Sequence, residues 1–304
     1  MDLSVQIGDV RLPNPLMTAS GTFGYGHELL ETFPVHRLGA VVSKGLTLQP
    51  REGNPRPRIA ETRCGLLNSI GLENMGLAAY LDTVLPVLRE RKVRVVLNVE
   101  GRSEAEFYTL IEMIEARKPD AVAVEVNVSC PNVEGGLQFG QDLSLLERLV
   151  RGMRERTAFP LWIKLTPSGV DVREEARAAE AGGADAVVVA YTYPGMAVDV
   201  ERRTFRLPRG SGGLSGPAIH PLTLYWVHVV VGAVRIPVIA VGGVHDFASA
   251  VAYLLVGARA VQIGSALFVD PDLPYRILDR LPAYLRDQGV SSVEDLVGSL
   301  RLDR

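Results

Sequence analysis

The sequence predicts an α/β fold, a single (β/α)8 barrel of the TIM type, and three observations carry that reading. Short apolar, β-branched runs recur eight times along the chain. Between them lie segments whose apolar residues repeat at about 3.6, the helical period. No Ser-, Pro- or Gly-rich linker divides the alternation. Strand and helix in turn argue for a parallel sheet covered by helices, and eight strands favour closure over an open doubly wound sheet, the alternative architecture. A chain of 304 residues has the length of one such barrel, so residues 1–304 are read as one domain.

The first run is Leu16-Met17-Thr18 and the second Ala40-Val41-Val42-Ser43; the others cover residues 93–99, 121–128, 161–165, 186–190, 236–241 and 260–263. Most are continuously apolar without strict alternation, as parallel strands buried on both faces require. Helical spacing marks residues 77–91, 103–117, 143–155 and 172–181. Two long connections break the rhythm: residues 47–75, rich in Gly, Pro, Arg and Asn, and residues 194–217, which contain Gly210-Ser211-Gly212-Gly213. Both follow strand candidates. Loops after strands form the active-site face of such a barrel, so these are read as lids and substrate walls, with disordered insertions as the plainer alternative.

Composition narrows the function classes. Apolar residues make up 47% and charged residues 22%, enough for a large core and a solvated surface. A formal charge of −3, with both signs mixed along the chain, gives no footprint for nucleic acid. The two cysteines, Cys64 and Cys130, build no disulfide framework and are too few for an iron–sulfur cluster. A reducing cytoplasm is the expected location. The N-terminus lacks a basic segment followed by an apolar core, and no apolar run reaches the roughly 18 to 20 residues that span a bilayer, so no membrane role is expected.

The most informative stretch is Asn127-Val128-Ser129-Cys130-Pro131-Asn132, directly after an apolar run. It places amides and a thiol at a strand's C-terminal end. A thiol's ordinary pKa of about 8.5 can be tuned towards base or nucleophile, whereas a lone cysteine is otherwise a small buried hydrophobe. Cys64 has thinner company and reads as structural. Lys44 and Lys164 each sit at or near a strand end. Burying an ammonium there requires an anion, either a ligand phosphate, carboxylate or reduced flavin, or a buried Asp or Glu. Gly242-Gly243 and Gly264-Ser265 close strands seven and eight, where barrels of this type often bind phosphate through backbone N–H groups. Asn98 and Asn68 are, taken alone, turn residues. Arg202, Arg203, Arg206 and Arg209 read as a solvated face, with an anionic substrate or partner as the alternative. No metal motif is present, and the glycines of Gly21-Thr22-Phe23-Gly24-Tyr25-Gly26 miss the dinucleotide spacing.

Taken in order, these segments resemble dihydroorotate dehydrogenase of class 1, B subtype. The match runs from Asn14-Pro15-Leu16 and Ala19-Ser20-Gly21-Thr22-Phe23-Gly24 through Ser43-Lys44-Gly45, Gly53-Asn54-Pro55-Arg56-Pro57-Arg58 and Leu67-Asn68-Ser69-Ile70-Gly71-Leu72. It continues through the Cys130 segment, Lys164-Leu165-Thr166-Pro167, Gly212-Gly213-Leu214-Ser215-Gly216-Pro217 and Gly242-Gly243 to Gly264-Ser265. The resemblance implies FMN held by Ser20, Lys44, Gly45, Asn98, Asn127, Lys164, Ala190, Gly216, Gly242, Gly243, Gly264 and Ser265. It implies a pyrimidine held by Lys44, Asn68, Ser69, Ile70, Gly71, Leu72, Asn127, Tyr191 and Thr192. Cys130 would take the C5 proton of dihydroorotate while hydride passes from C6 to flavin N5, giving orotate for pyrimidine biosynthesis. It further implies a homodimer flanked by two partner subunits that carry FAD and a [2Fe–2S] cluster and deliver electrons to NAD.

One position departs from the pattern. Where the family usually has Asn, this chain has Tyr191. A phenol stacks and donates one hydrogen bond but cannot offer an amide's paired donor and acceptor. Besides dihydroorotate oxidation, the sequence therefore admits a sister flavoenzyme for another dihydropyrimidine, and a non-redox phosphate-binding barrel.

Overall fold

The computed structural model describes residues 1–128, 139–167 and 170–301. Its centre is an eight-stranded parallel sheet of Leu16–Thr18, Val41–Val42, Val95–Val99, Ala123–Asn127, Leu161–Lys164, Ala186–Val189, Val238–Val241 and Ala260–Ile263. These are the eight runs expected from the sequence. Sheet neighbours follow chain order, and the eighth strand pairs with the first. The remaining seam, between the first and second, is joined where Met17 bridges Ala40 in parallel and Thr18 N donates to Ala40 O at 3.3 Å. The sheet is therefore a barrel.

Helices cover its outer face. In Leu143–Arg154, the residues Leu145, Leu146, Leu149, Val150 and Met153 fall at three- and four-residue intervals and are all buried. The Asp142 carboxylate accepts from Leu145 N at 3.0 Å and starts that helix, and the Ser103 hydroxyl does the same from Glu106 N at 3.2 Å for Glu104–Arg117. The expected single helix over residues 77–91 is two, Leu77–Thr83 and Leu85–Glu90. Pro86 is the reason: its nitrogen carries no hydrogen for the turn before it.

The long connections are ordered and not disordered insertions. Four of their segments form an antiparallel sheet in the order Tyr193–Gly195, Gly212–Ser215, Gly65–Asn68, Ile59–Thr62. Asn68 pairs with Gly213 and Leu67 with Leu214, so the two insertions share one layer. A small core of Ala60, Leu67 and Leu207 sits beneath it. Gly65 is needed there, because a Cβ would lie 2.0 Å from Ser215 O.

Candidate active site

Each barrel strand delivers side chains or backbone to one cavity of about 610 Å³ at the C-terminal ends of the strands. The first contributes Ser20 and Gly21, the second Lys44 and Gly45, the third Asn98, the fourth Asn127 and the fifth Lys164. The sixth gives Ala190, Tyr191 and Thr192, the seventh Gly242 and Gly243, the eighth Gly264 and Ser265. Asn68, Ser69, Ile70, Gly71 and Leu72 close the cavity from the covering sheet. Gly216 is not among the lining residues; at φ +100 it packs on Gly65, where a Cβ would come within 2.6 Å of the Gly65 Cα. Cys130 lies outside the described residues.

The floor is organised by a carboxylate the sequence reading did not single out. Glu125, fully buried in the fourth strand, accepts at Oε1 from Lys164 Nζ at 3.1 Å and from Asn98 Nδ2 at 2.7 Å. Its Oε2 accepts from Gln262 Nε2. Lys164 Nζ also donates to Ser20 Oγ at 3.0 Å. Thus, of the alternatives for Lys164, the buried carboxylate is present, and the ammonium still borders the cavity. Beside this group, Asn127 Nδ2 donates to Glu100 Oε2 at 2.9 Å. A Glu inside the apolar run Val124-Glu125-Val126 was the available signal, since a charge in a buried strand demands a partner.

The second lysine is held from the cover. Lys44 Nζ lies 3.7 Å from Glu73 Oε2, which also accepts from Arg58 Nη1 at 2.7 Å. Asn54 ties the same loop together: its Nδ2 donates to Ser69 O and to Ser69 Oγ, both at 3.1 Å, and its N donates to Ile70 O at 2.9 Å. Gly71, at φ +74, is required by this packing, because a Cβ would stand 2.4 Å from Asn54 Cγ.

At the far side, the Tyr253 hydroxyl donates to Gly242 O at 2.6 Å, and His245 Nδ1 lies 2.7 Å from Gly243 O. Gly243 has φ +67, and a Cβ there would strike His220 N at 2.5 Å. Burial holds the His220 imidazole below its usual range and raises the Tyr253 phenol. Behind the wall formed by Thr166 and Gly140, the buried Glu175 accepts from Thr166 N at 3.1 Å through Oε2. Loss of solvent pushes its carboxyl up to about 9, so it is neutral at pH 7.

Of the four loop arginines, only Arg209 lines the cavity; Arg202, Arg203 and Arg206 are exposed outside it. Cys64 is exposed. Among the described residues there is no group of three or more His, Cys, Asp or Glu able to hold a metal, and no helix is long and apolar enough to cross a membrane.

Known proteins with this pattern agree. The family profile of dihydroorotate dehydrogenase matches residues 2–285. The chain is 45% identical to the dihydroorotate dehydrogenase B (NAD(+)) catalytic subunit of Maridesulfovibrio salexigens, with 100% of both chains covered. It is 43% identical to the subunit of that name from Geotalea uraniireducens over 98% of both chains, and 41% identical to that of Thermoanaerobacter sp. strain X514 over 100% of both. A barrel with polar groups at all eight strand ends, matched along its length, leaves one assignment: the chain belongs to the dihydroorotate dehydrogenase family.

Proposed function

We propose that the chain is the FMN-bearing catalytic subunit of a B-type dihydroorotate dehydrogenase and oxidises dihydroorotate to orotate in pyrimidine biosynthesis. The observation that carries this reading is the convergence on one cavity of the anticipated pyrimidine set and of the anticipated cofactor set apart from Gly216. Family membership sets aside the non-redox phosphate-binding barrel.

The residues present fit the cofactor. The cavity volume of about 610 Å³ is in the range of small-molecule sites. A Cβ on Gly21 would meet nothing within 4 Å, and one on Gly264 would approach only Ala19 and Thr22, so both leave room for a ligand against the backbone. Gly242, Gly243, Gly264 and Ser265 are the groups to hold the phosphate, with Ser20, Asn98, Asn127, Ala190 and Lys164 along the ring system. When bound, FMN supplies the acceptor for the hydride that leaves C6 of the substrate. Lys164, fixed between Glu125 and Ser20, presents a positive charge at a set place. Asn68 to Leu72, Lys44 and Thr192 orient the pyrimidine, and Cys130 removes the C5 proton.

The expected assembly is a homodimer of this chain with two partner subunits bearing FAD and the [2Fe–2S] cluster, through which electrons reach NAD. The chain has only two cysteines, so it cannot hold that cluster alone.

Anaerobic mixing of the flavin-loaded protein with dihydroorotate tests the reading: the flavin's visible band bleaches fast. Tyr191 lines the cavity and gives the sister reading a specific basis, so dihydrouracil is the parallel substrate. Bleaching by dihydrouracil alone would move the assignment to that activity. With Cys130 as base, Cys130→Ser slows bleaching by about 10² to 10⁴-fold while the protein stays yellow. An unchanged rate in that variant removes Cys130 from the chemistry.

A further inference from the structure

The turn after the seventh barrel strand is gripped from outside the cavity. Val241 O accepts from Ala190 N at 3.0 Å, Gly242 O accepts from the Tyr253 hydroxyl at 2.6 Å, and Gly243 O lies 2.7 Å from His245 Nδ1. A carbonyl oxygen only accepts, so Nδ1 carries the hydrogen of that last bond. Gly242, Gly243 and Val244 line the cavity, whereas Tyr253, buried in the helix Phe247–Leu255, and the exposed His245 do not. The His220 ring packs edge-on against both, 5.0 Å from the Tyr253 ring and 5.8 Å from the His245 ring, and its Nε2 lies 3.1 Å from Ser249 O. The two donors thus share one backing. Both peptides of the turn are trans, and in a trans peptide the C=O and the following N–H point to opposite sides. With their oxygens held outward, the N–H groups of Gly243 and Val244 face the other way, towards the cavity. Both residues are buried, and among the described residues neither N–H has an acceptor. A buried amide hydrogen without an acceptor is rare, and here two stand side by side. Such a pair suits the oxygens of a phosphate.

We propose that Tyr253 and His245 are positioning residues for the cofactor phosphate: by holding the carbonyls of Gly242 and Gly243, they aim the two N–H groups that tell a phosphorylated flavin from an unphosphorylated one. The proposal rests on the reading of this cavity as an FMN site and adds to it the side chains that set selectivity for the phosphate. Glycine makes the turn possible, at φ +138 for Gly242 and φ +67 for Gly243, and by itself leaves the peptides free to rotate. The two outer hydrogen bonds remove that freedom before the ligand arrives, so the cost of ordering is not charged against binding.

Equilibrium dialysis of the flavin-loaded protein against FMN with riboflavin in excess tests this, the bound flavins being separated by chromatography. The two ligands differ only in the phosphate. The ratio of bound FMN to bound riboflavin, corrected for the concentrations supplied, therefore isolates that group, and a variant that merely loosens the fold weakens both and leaves the ratio unchanged. Tyr253→Phe removes one oxygen and keeps the ring against His220, and His245 is at the surface, so both sites accept substitution without loss of the fold. The ratio falls about five- to tenfold in Tyr253→Phe and in His245→Ala, the scale of one hydrogen bond. In His245→Asn it stays within about twofold of the wild type, because the amide nitrogen takes the place of Nδ1. An unchanged ratio in both Tyr253→Phe and His245→Ala would overturn the proposal and leave the FMN assignment standing. An Asn variant no better than the Ala variant would overturn the role given to His245. A wild type that binds the two flavins alike would overturn the proposal as well, since no phosphate is then held. A wild type that takes up neither flavin would sink the functional reading, and the roles of both side chains with it.

Discussion

The floor of the site and its cover reach the same cavity by opposite means. On the floor, Glu125, Asn98, Lys164 and Gln262 project from four different barrel strands, all buried, and one carboxylate satisfies three donors. In the cover, Asn54, Arg58, Glu73 and Arg209 come from connections, are partly exposed, and interact with one another or with backbone. A buried polar group cannot fall back on water, so the floor is either complete or costly. The cover can lose a contact to solvent at little cost. Damage to the floor should therefore appear as lost folding stability, and damage to the cover as lost ligand affinity.

The largest expected effect is on the floor. Glu125→Ala leaves the Lys164 ammonium buried without its counter-charge and two amide donors without an acceptor. Loss of one partner of such a pair costs about 3 to 5 kcal/mol, read as a shift of the urea midpoint at unchanged slope. A loss confined to substrate affinity in this variant would erase the distinction between the two regions.

Glu175 sharpens the comparison from the wall. Its folded carboxyl titrates at about 9 against a usual 4.5, so the native state binds one more proton than the unfolded chain between those values. The sign follows: its contribution to stability is complete below about pH 4.5 and is lost as pH rises through 9. The loss approaches about 1.4 kcal/mol per pH unit within that window, one proton's worth. Glu175→Gln removes that proton while keeping an acceptor for Thr166 N. The wild-type melting temperature should then fall more steeply than the variant's from pH 6 to 9, and parallel curves would show that the carboxyl is already ionised.

The floor was largely legible in the sequence and the cover was not. Most of the eight barrel strands are continuous apolar runs, a consequence of burial on both faces, and the polar residues ending them stand out against that background. Glu125 and Gln262 interrupt the runs but carry no motif, so the sequence signals a buried polar group at each without naming its partners. The strands of the cover are three or four residues long, mostly half-exposed, and three of the four contain Gly. Alternation needs more residues than that to register, and the pairing of Asn68 with Gly213 joins positions 145 residues apart. Helix 77–91 broke at Pro86 because periodicity counts apolar residues and not missing N–H groups.

In the cover, Asn54→Ala removes the two bonds to Ser69 and the seat of Arg209. With each exposed hydrogen bond contributing about 1 kcal/mol, KM for dihydroorotate should rise about five- to tenfold, with the urea midpoint almost unmoved. A shift of stability comparable to that of Glu125→Ala would mean the covering sheet is part of the cooperative core.

The smallest effect belongs to Cys64, at the turn between Ile59–Thr62 and Gly65–Asn68. The fold uses its backbone, since Cys64 O accepts from Ala218 N at 3.0 Å, while its thiol is exposed. Cys64→Ser keeps that carbonyl and should change stability and turnover by less than about 0.5 kcal/mol. The near-silence is useful, because the chain then holds a single thiol, Cys130. The pH dependence of its alkylation reports the thiolate directly. If Cys130 is the base, orotate protects it, and the pKa from alkylation matches the rising limb of the pH–rate profile. Two limbs that differ by more than about one unit would place the base elsewhere.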